Sequence, residues 1–396
     1  MTPGPEITAA ARDPAARRFA IRTALFYSTI LGLGGTYLPF FPVWLKAVGV
    51  EAAWIGVITA VPSLVRMSVL PVVTRFAERR NLLRTTMVIG SVFTFVGFYA
   101  LGWLREPLTI LVVFSLTAIV WIPLSSLTDG YALKGVARHG LNYGPLRLWG
   151  SIAFVVGTLI CGAILDVIDG RNLIWVLVGL AALNMVSAFG LQPIDRPAGD
   201  AAQVASSPAL LRNPLFIATL VSVALVQSSH AAYYSFSAIV WQGQGFSGFT
   251  IAALWSLGVA AEIVIFALSP RFTISPATQL LIGAVSCVLR WVLMAQDLPL
   301  PMLALVQLMH GLSFGISHLG AVGLIVRLAP GHVIATAQGY VVASNGAVMA
   351  FTTMLTGALF ASLGDGVYYM MAAQALAGAA FVIGLRHHLD RSSVPG

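Results

Sequence analysis

The chain has 396 residues, of which 58% are hydrophobic and only 9% charged, and it carries a formal net charge of +8. Soluble domains carry about 25% charged residues, and a mean hydropathy of +0.89 in a 41.9 kDa chain leaves more apolar surface than one globular interior holds, so most of it faces lipid. These proportions exclude a secreted disulfide scaffold, a nucleic-acid-binding protein and a cytosolic enzyme, and they require the positive charge to be read by position.

The amino-terminal arm, residues 1–18, is rich in Ala, Pro and Arg and enters an apolar segment without a small-residue cleavage site, so the first helix is expected to remain in place. Apolar runs of about 20 residues, long enough to cross about 30 Å of hydrocarbon, then fall near 19–42, 52–76, 82–104, 107–132, 145–168 and 171–191. From Gln192 to Asn213 the chain reads QPIDRPAGDAAQVASSPALLRN, a Pro-, Ala- and Ser-rich linker that cannot span. Six further runs follow near 214–241, 248–270, 275–295, 299–326, 334–362 and 366–386. The fold class is therefore all-α, a polytopic membrane protein of twelve helices: a bundle over 19–191, a linker over 192–213, a second bundle over 214–386 and a tail over 387–396.

An even number of spans puts both termini on one side. Sixteen of the 22 Lys and Arg residues lie in the amino-terminal arm (Arg12 among them), the linker (Arg196 among them), the tail and the loops on their side, while the opposite loops hold only Lys46, Arg105 and Arg171. That asymmetry predicts cytoplasmic termini, and a bacterial inner membrane is the expected location. Cys161 and Cys287 both sit inside apolar runs, where a thiol acts as a small hydrophobe.

The remaining charges fall in or at the ends of spans: Arg66, Arg147, Arg290, Asp129 and Glu262, with His230, His310 and His318. A charge at mid-span costs about 2.5–3.5 kcal/mol on insertion scales, so such residues face a watery cavity or one another. The carboxylate of Glu262 and the guanidinium of Arg290 can alternate between a protonated acid and an ion pair, because dry surroundings favour the acid and an approaching arginine favours the ion. A histidine, whose ordinary pKa lies near neutrality, can relay the proton. His230, Tyr233 and Tyr234 share a helix face at i, i+3 and i+4, one turn after Gln227, and offer flat rings with hydrogen-bond donors to a ring-shaped substrate. Gln307, Gln338 and Asn345 are further polar candidates within spans.

Gly311-Leu312-Ser313-Phe314-Gly315 spells the Gly-x-Ser-x-Gly of a serine hydrolase, but it lies inside a span rather than in a strand–turn–helix. It also reads as a GxxxG pair that admits a close neighbouring helix. No Walker loop and no zinc-ligand spacing is present, so no cofactor, no metal and no enzymatic chemistry are expected.

A shift of 196 residues lays Arg75-Phe76 on Arg271-Phe272 and Arg66 on Glu262, suggesting two related halves. Two six-helix bundles joined by a cytoplasmic linker are the architecture of major facilitator transporters, with the site at mid-membrane between the halves. Ala77–Arg84 (AERRNLLR) resembles the loop motif of that superfamily, with Glu78 for its acid and Arg79 for its base, so these two are candidates for conformational gating; Thr74 replaces its first Gly and the second is missing. Pro123–Asp129 (PLSSLTD), followed by Tyr143–Ser151 (YGPLRLWGS), resembles the phenylpropionic-acid transporter-like permeases and, more distantly, the lactose-permease family of proton symporters. His230–Gln242, Leu289–Trp291 and Ala335–Gly339 agree, and the likeness covers essentially the whole chain.

The resemblance implies that Asp129 and Arg147 form one half of a substrate site, with Phe154 as a stacking ring. It implies that Glu262, Arg290 and His310, with His318 two turns on, couple substrate to protons. Where the lactose permeases carry a glutamate three residues after that histidine, this chain has Ser313, which leaves Glu262 or Asp129 to carry the proton. A monomeric proton symporter of an aromatic carboxylate is one expectation. The same scaffold also carries sugars and nucleosides, and a non-transporting receptor is the alternative from another class.

Overall fold

The computed structural model describes residues 13–194 and 210–391. Arg12 and Arg196, most of the arm and linker, and the end of the tail lie outside the described residues. Helices α1 (Pro14–Ala47), α2 (Ala52–Arg79), α3 (Leu83–Leu101), α4 (Pro107–His139), α5 (Tyr143–Leu165) and α6 (Leu173–Phe189) precede the linker. After it come α7a (Pro214–Ser228), α7b (Ala231–Gly243), α8 (Gly248–Leu268), α9 (Pro276–Met294), α10a (Leu300–Leu308), α10b (Ser317–Leu328), α11 (Ile334–Leu363) and α12 (Val367–Arg391). Among the described residues eleven stretches are long and apolar enough to cross a membrane, and the last of them, Ile334–Gly384, takes in α11 and most of α12. Twelve spans are thus present among the described residues, each overlapping a predicted run.

The helix boundaries follow local chemistry. Asp13 caps α1, its carboxylate accepting from the Ala15 and Ala16 N–H groups ahead of Pro14. Asn213 and Ser275 cap α7a and α9 in the same way, each followed by Pro. Gly140, with φ 63°, closes α4 in the left-handed conformation that glycine adopts without cost. Large apolar side chains such as Phe93 (57%) and Leu116 (63%) stay exposed on outer faces, as a lipid-facing surface requires.

The described residues form two compact units. The first holds residues up to Val50, those from Ser68 to the linker, and Ser247–Phe249; the second holds Glu51–Met67, the residues from the linker to Phe246, and Thr250 onward. In the first unit α1 and α5 approach so closely that a Cβ on Gly35 would overlap the Phe154 carbonyl. Thr158 Oγ1 donates to the Gly35 carbonyl at 2.8 Å across this contact. Small residues drive helix association in membranes because lipid provides no hydrophobic incentive. Gly35→Ala should therefore destabilise the protein by about 1–3 kcal/mol through overpacking, whereas Gly34→Ala, which meets nothing within 4 Å, should be neutral; thermal unfolding in detergent checks the pair. Beyond the glycines, Tyr37 and Phe41 of α1 pack on Trp121 and Phe114 of α4, with centroids 4.7 Å apart in each pair. Asp166, at the end of α5, accepts from the N–H groups of Gly248 (2.5 Å) and Phe249 (3.0 Å).

In the second unit Phe216 and Val223 of α7a, Leu280 of α9, Leu324 and Ile325 of α10b and Val382 of α12 form one buried core. The first half of α2 belongs here because Gly56 faces Gly357 of α11 with no room for a Cβ on either. Two predicted spans are not the uninterrupted helices that their hydropathy implies. Span 7 breaks at Ser229-His230. There Ser229 Oγ donates to the Val226 carbonyl (2.7 Å) and His230 Nδ1 to the Gln227 carbonyl (3.1 Å), so side chains compete for the backbone of the preceding turn. Span 10 contains a π turn over Gly311–Ile316, and the wider turn leaves carbonyls of Ser313 and Phe314 to accept from Ser317 Oγ at 2.8 and 2.9 Å.

Candidate functional site

The second unit concentrates polar side chains around Arg290. This residue lies within α9 and is completely buried. Its Nη1 donates to His310 Nδ1 at 2.9 Å and to Ser313 Oγ at 3.2 Å, and its Nη2 donates to Gln307 Oε1 at 3.0 Å. The guanidinium lies 4.5 Å from the Tyr233 ring centroid and 4.7 Å from that of Trp291, where the ring quadrupoles attract a cation. Its Nε has no partner among the described residues. Glu262 of α8 stands on the far side of His310, Oε2 to Nε2 at 3.7 Å. The direct Glu262–Arg290 ion pair envisaged from sequence is not formed: no carboxylate reaches Arg290 among the described residues, and the His310 ring separates the two.

Local structure explains this placement. His310 immediately precedes the π turn and Ser313 lies within it, and both side chains reach the same guanidinium. Gly311 and Gly315 let α8 come close, since a Cβ on Gly311 would lie 2.7 Å from the Ala261 carbonyl and one on Gly315 3.2 Å from Ile265. The pentapeptide that imitates a hydrolase motif is therefore a helix-packing surface. The break in α7 places His230 against Trp291 and His310, with centroids 4.9 and 5.5 Å apart, and Tyr233 and Tyr234 follow in α7b. Gln227 donates to Ser317 Oγ at 3.2 Å.

The first unit holds a smaller cluster. Asp129 of α4 accepts from the hydroxyls of Tyr27 (2.7 Å) and Tyr143 (2.8 Å), both at Oδ1. Arg147 Nε of α5 is 3.8 Å from the same oxygen, and both side chains are more than a third exposed. The Arg147 guanidinium also lies 5.6 Å from the Tyr27 ring centroid.

Gln227, His230, Tyr233, Tyr234, Glu262, Arg290 and His310 are thus brought together, and Asp129 with Arg147. Five other candidates stand apart. Phe154 is half-buried on α5, its carbonyl turned to Gly35. Asn345 Oδ1 accepts from Ser228 Oγ at 3.1 Å. His318 is exposed and meets the rings of Phe266 and Phe314. Glu78 and Arg79 are exposed at the end of α2, and the Glu78 carboxylate rests beside Gly130. Sequence reasoning missed Tyr27, which carries no charge to mark it within its span, and it placed Ser313 only as a missing acid.

Residues 20–371 match the family model described as MFS_1 like family. The chain is 35% identical over 364 residues, covering 89% of it and 94% of the relative, to the "Probable 3-phenylpropionic acid transporter" of Escherichia coli (strain K12). It is 28% identical over 359 residues, 87% of the chain and 89% of the relative, to the maltose permease of Geobacillus stearothermophilus. Among solved structures, the nucleoside transporter NupG superposes with a TM-score of 0.79 at 15% identity, covering 93% of this chain and 99% of that one. The inward open xylose transporter XylE from E. coli gives 0.71 at 11% identity, covering 92% and 96%; at these identities the likeness is one of fold. Twelve apolar helices carrying polar clusters, a family model spanning residues 20–371 and a full-length relative at 35% identity together establish that the chain belongs to the MFS_1-like family of major facilitator membrane transport proteins.

Proposed function

We propose that the chain is a secondary active transporter that carries a small organic anion, an aromatic carboxylate such as a phenylpropionate-like acid, together with a proton by alternating access. The observation that carries this reading is the second-unit cluster: a fully buried arginine matched, among the described residues, by neutral acceptors, with a carboxyl one imidazole away. When that carboxyl is protonated the cluster holds unbalanced positive charge, which an anion entering with the proton offsets. The aromatic rings of Tyr233, Tyr234 and Trp291 suit a flat substrate, and the name of the E. coli relative agrees. The substrate is moved without chemical change, one copy of the chain suffices for the cycle in this reading, and the Lys/Arg asymmetry supports cytoplasmic termini in an inner-membrane protein. Glu78 and Arg79 act in this reading at the cytoplasmic end as gating residues, and His318, Asn345 and Phe154 remain supporting positions.

The test is uptake of labelled 3-phenylpropionate into proteoliposomes with and without an inward-acid pH gradient. Accumulation only with the gradient is expected, and binding without accumulation identifies a receptor instead.

A second reading, symport of a sugar or nucleoside, draws on the first-unit cluster, because Asp129 with Arg147 presents acceptor and donors side for side. The two readings separate by substitution. For an anion, Arg147→Lys should retain part of the binding through charge, and Asp129→Asn should be milder than Arg147→Ala. For a polyol, Arg147→Lys should fail as badly as Arg147→Ala, because lysine lacks the guanidinium fork. Direct binding by calorimetry reads the difference, and wild-type affinity in Arg147→Ala removes that residue from the site.

A further inference from the structure

Two histidines lie within the second-unit cluster, and their neighbours fix where each carries its proton. A guanidinium has donors only. Arg290 Nη1, 2.9 Å from His310 Nδ1, therefore requires a lone pair on that nitrogen, and the His310 proton sits on Nε2, the atom that faces Glu262 at 3.7 Å. His230 is the opposite case. Its Nδ1 lies 3.1 Å from the Gln227 carbonyl, which only accepts, so Nδ1 carries the proton. Ser313 Oγ accepts from Arg290 at 3.2 Å and directs its own hydroxyl toward His230 Nε2 at 3.5 Å, the remaining lone pair. One buried cation thus orients two imidazoles, one directly and one through a serine.

The charged and titratable groups around these rings are few. Arg290 approaches from α9, Tyr233 from α7b lies against the guanidinium, and Glu262 approaches from α8. Tyr234, stacked on His230, lies within the electrostatic reach of Glu262, Arg290 and Arg66 of α2. A proton added to either imidazole would have to displace the guanidinium or the serine bond and would add a second positive charge beside a buried one.

We propose that Arg290 locks His230 and His310 as neutral imidazoles of opposite tautomer, so that His310 is a positioning residue that turns its Nε2–H toward Glu262 and does not itself take up the transported proton. The cycle then involves a single exchange: the Glu262 carboxylate gains a proton from one side and releases it to the other, while the imidazole keeps both its charge state and its bond to Arg290. This inference rests on the symport reading for the role of Glu262, but the tautomers stand independently of it.

The experiment is nitrogen-15 NMR of histidine-labelled protein in nanodiscs between pH 5 and 8, with His230 and His310 assigned by single substitutions. Neutral rings with the proton on Nδ1 of His230 and on Nε2 of His310 throughout are expected. Appearance of an imidazolium at either ring, or of the same tautomer at both, overturns the proposal. A second arm compares His310→Asn with His310→Ala in uptake. Asparagine offers an oxygen to Arg290 and an N–H to Glu262, so it should recover part of the activity lost in alanine, which should fall by about ten- to hundredfold for a lost hydrogen bond to a charged group, and should keep the wild-type pH profile. An asparagine variant as poor as alanine, or with a shifted profile, shows that histidine itself titrates. If wild-type protein fails to accumulate substrate on a pH gradient yet shows the two tautomers, the symport reading fails and the lock stands.

Discussion

Glu262→Gln is expected to yield a folded, inserted protein that equilibrates substrate across the bilayer but no longer accumulates it on a pH gradient. Glutamine keeps the shape and the acceptor oxygen facing His310 Nε2, so the 3.7 Å contact to the cluster survives while the only acid of that cluster is lost. The Glu262 side chain is 24% exposed whereas Arg290 is sealed, so the carboxyl is the more accessible of the two charged groups. Substrate exchange in the absence of a gradient should persist, and gradient-driven accumulation should fall to the level of leaky vesicles. Wild-type accumulation by the variant assigns proton coupling elsewhere, with Asp129 the next carboxyl to replace.

Arg290→Ala is expected to be the most damaging single substitution for stability. Removing the guanidinium strands Gln307 Oε1, Ser313 Oγ and His310 Nδ1 in a buried cluster, at about 1–3 kcal/mol for each acceptor left unsatisfied. It also removes the cation between Tyr233 and Trp291. Arg290→Lys keeps the charge but reaches fewer of the three acceptors, so it should fall between. Adding Glu262→Gln to Arg290→Ala should restore little, because Glu262 meets Arg290 only through the His310 ring. Thermal unfolding of the four proteins in one detergent decides the matter. Recovery of most of the lost stability in the double variant would reveal a direct ion pair, the arrangement in which a lone buried carboxylate is the chief cost.

The spans and the polar intramembrane residues were legible from sequence because lipid imposes a rule that acts residue by residue: about 20 apolar residues per crossing and a penalty for each charge within one. Asp129, Arg147, Glu262, Arg290 and His310 stood out on that ground alone. The GxxxG reading of Gly311–Gly315 was also available from spacing, and the glycines do face α8. Helix starts at Asp13, Asn213 and Ser275 follow from a side chain and the proline after it.

Which of these residues meet was decided by tertiary structure. The break at Ser229-His230 and the π turn after His310 are invisible to hydropathy, since both replace a backbone bond with another of similar polarity inside an unchanged apolar run. At those two irregularities His230 meets Ser313, Ser313 and His310 meet Arg290, and the His310 ring stands between arginine and acid. Tyr27 joins Asp129 from 102 residues away, a distance over which no spacing rule operates. Composition therefore determined that the chain spans a membrane and which side chains it can least tolerate burying alone, whereas the partners that make their burial tolerable are set by helix packing, because a hydrogen bond is made by geometry and not by sequence separation.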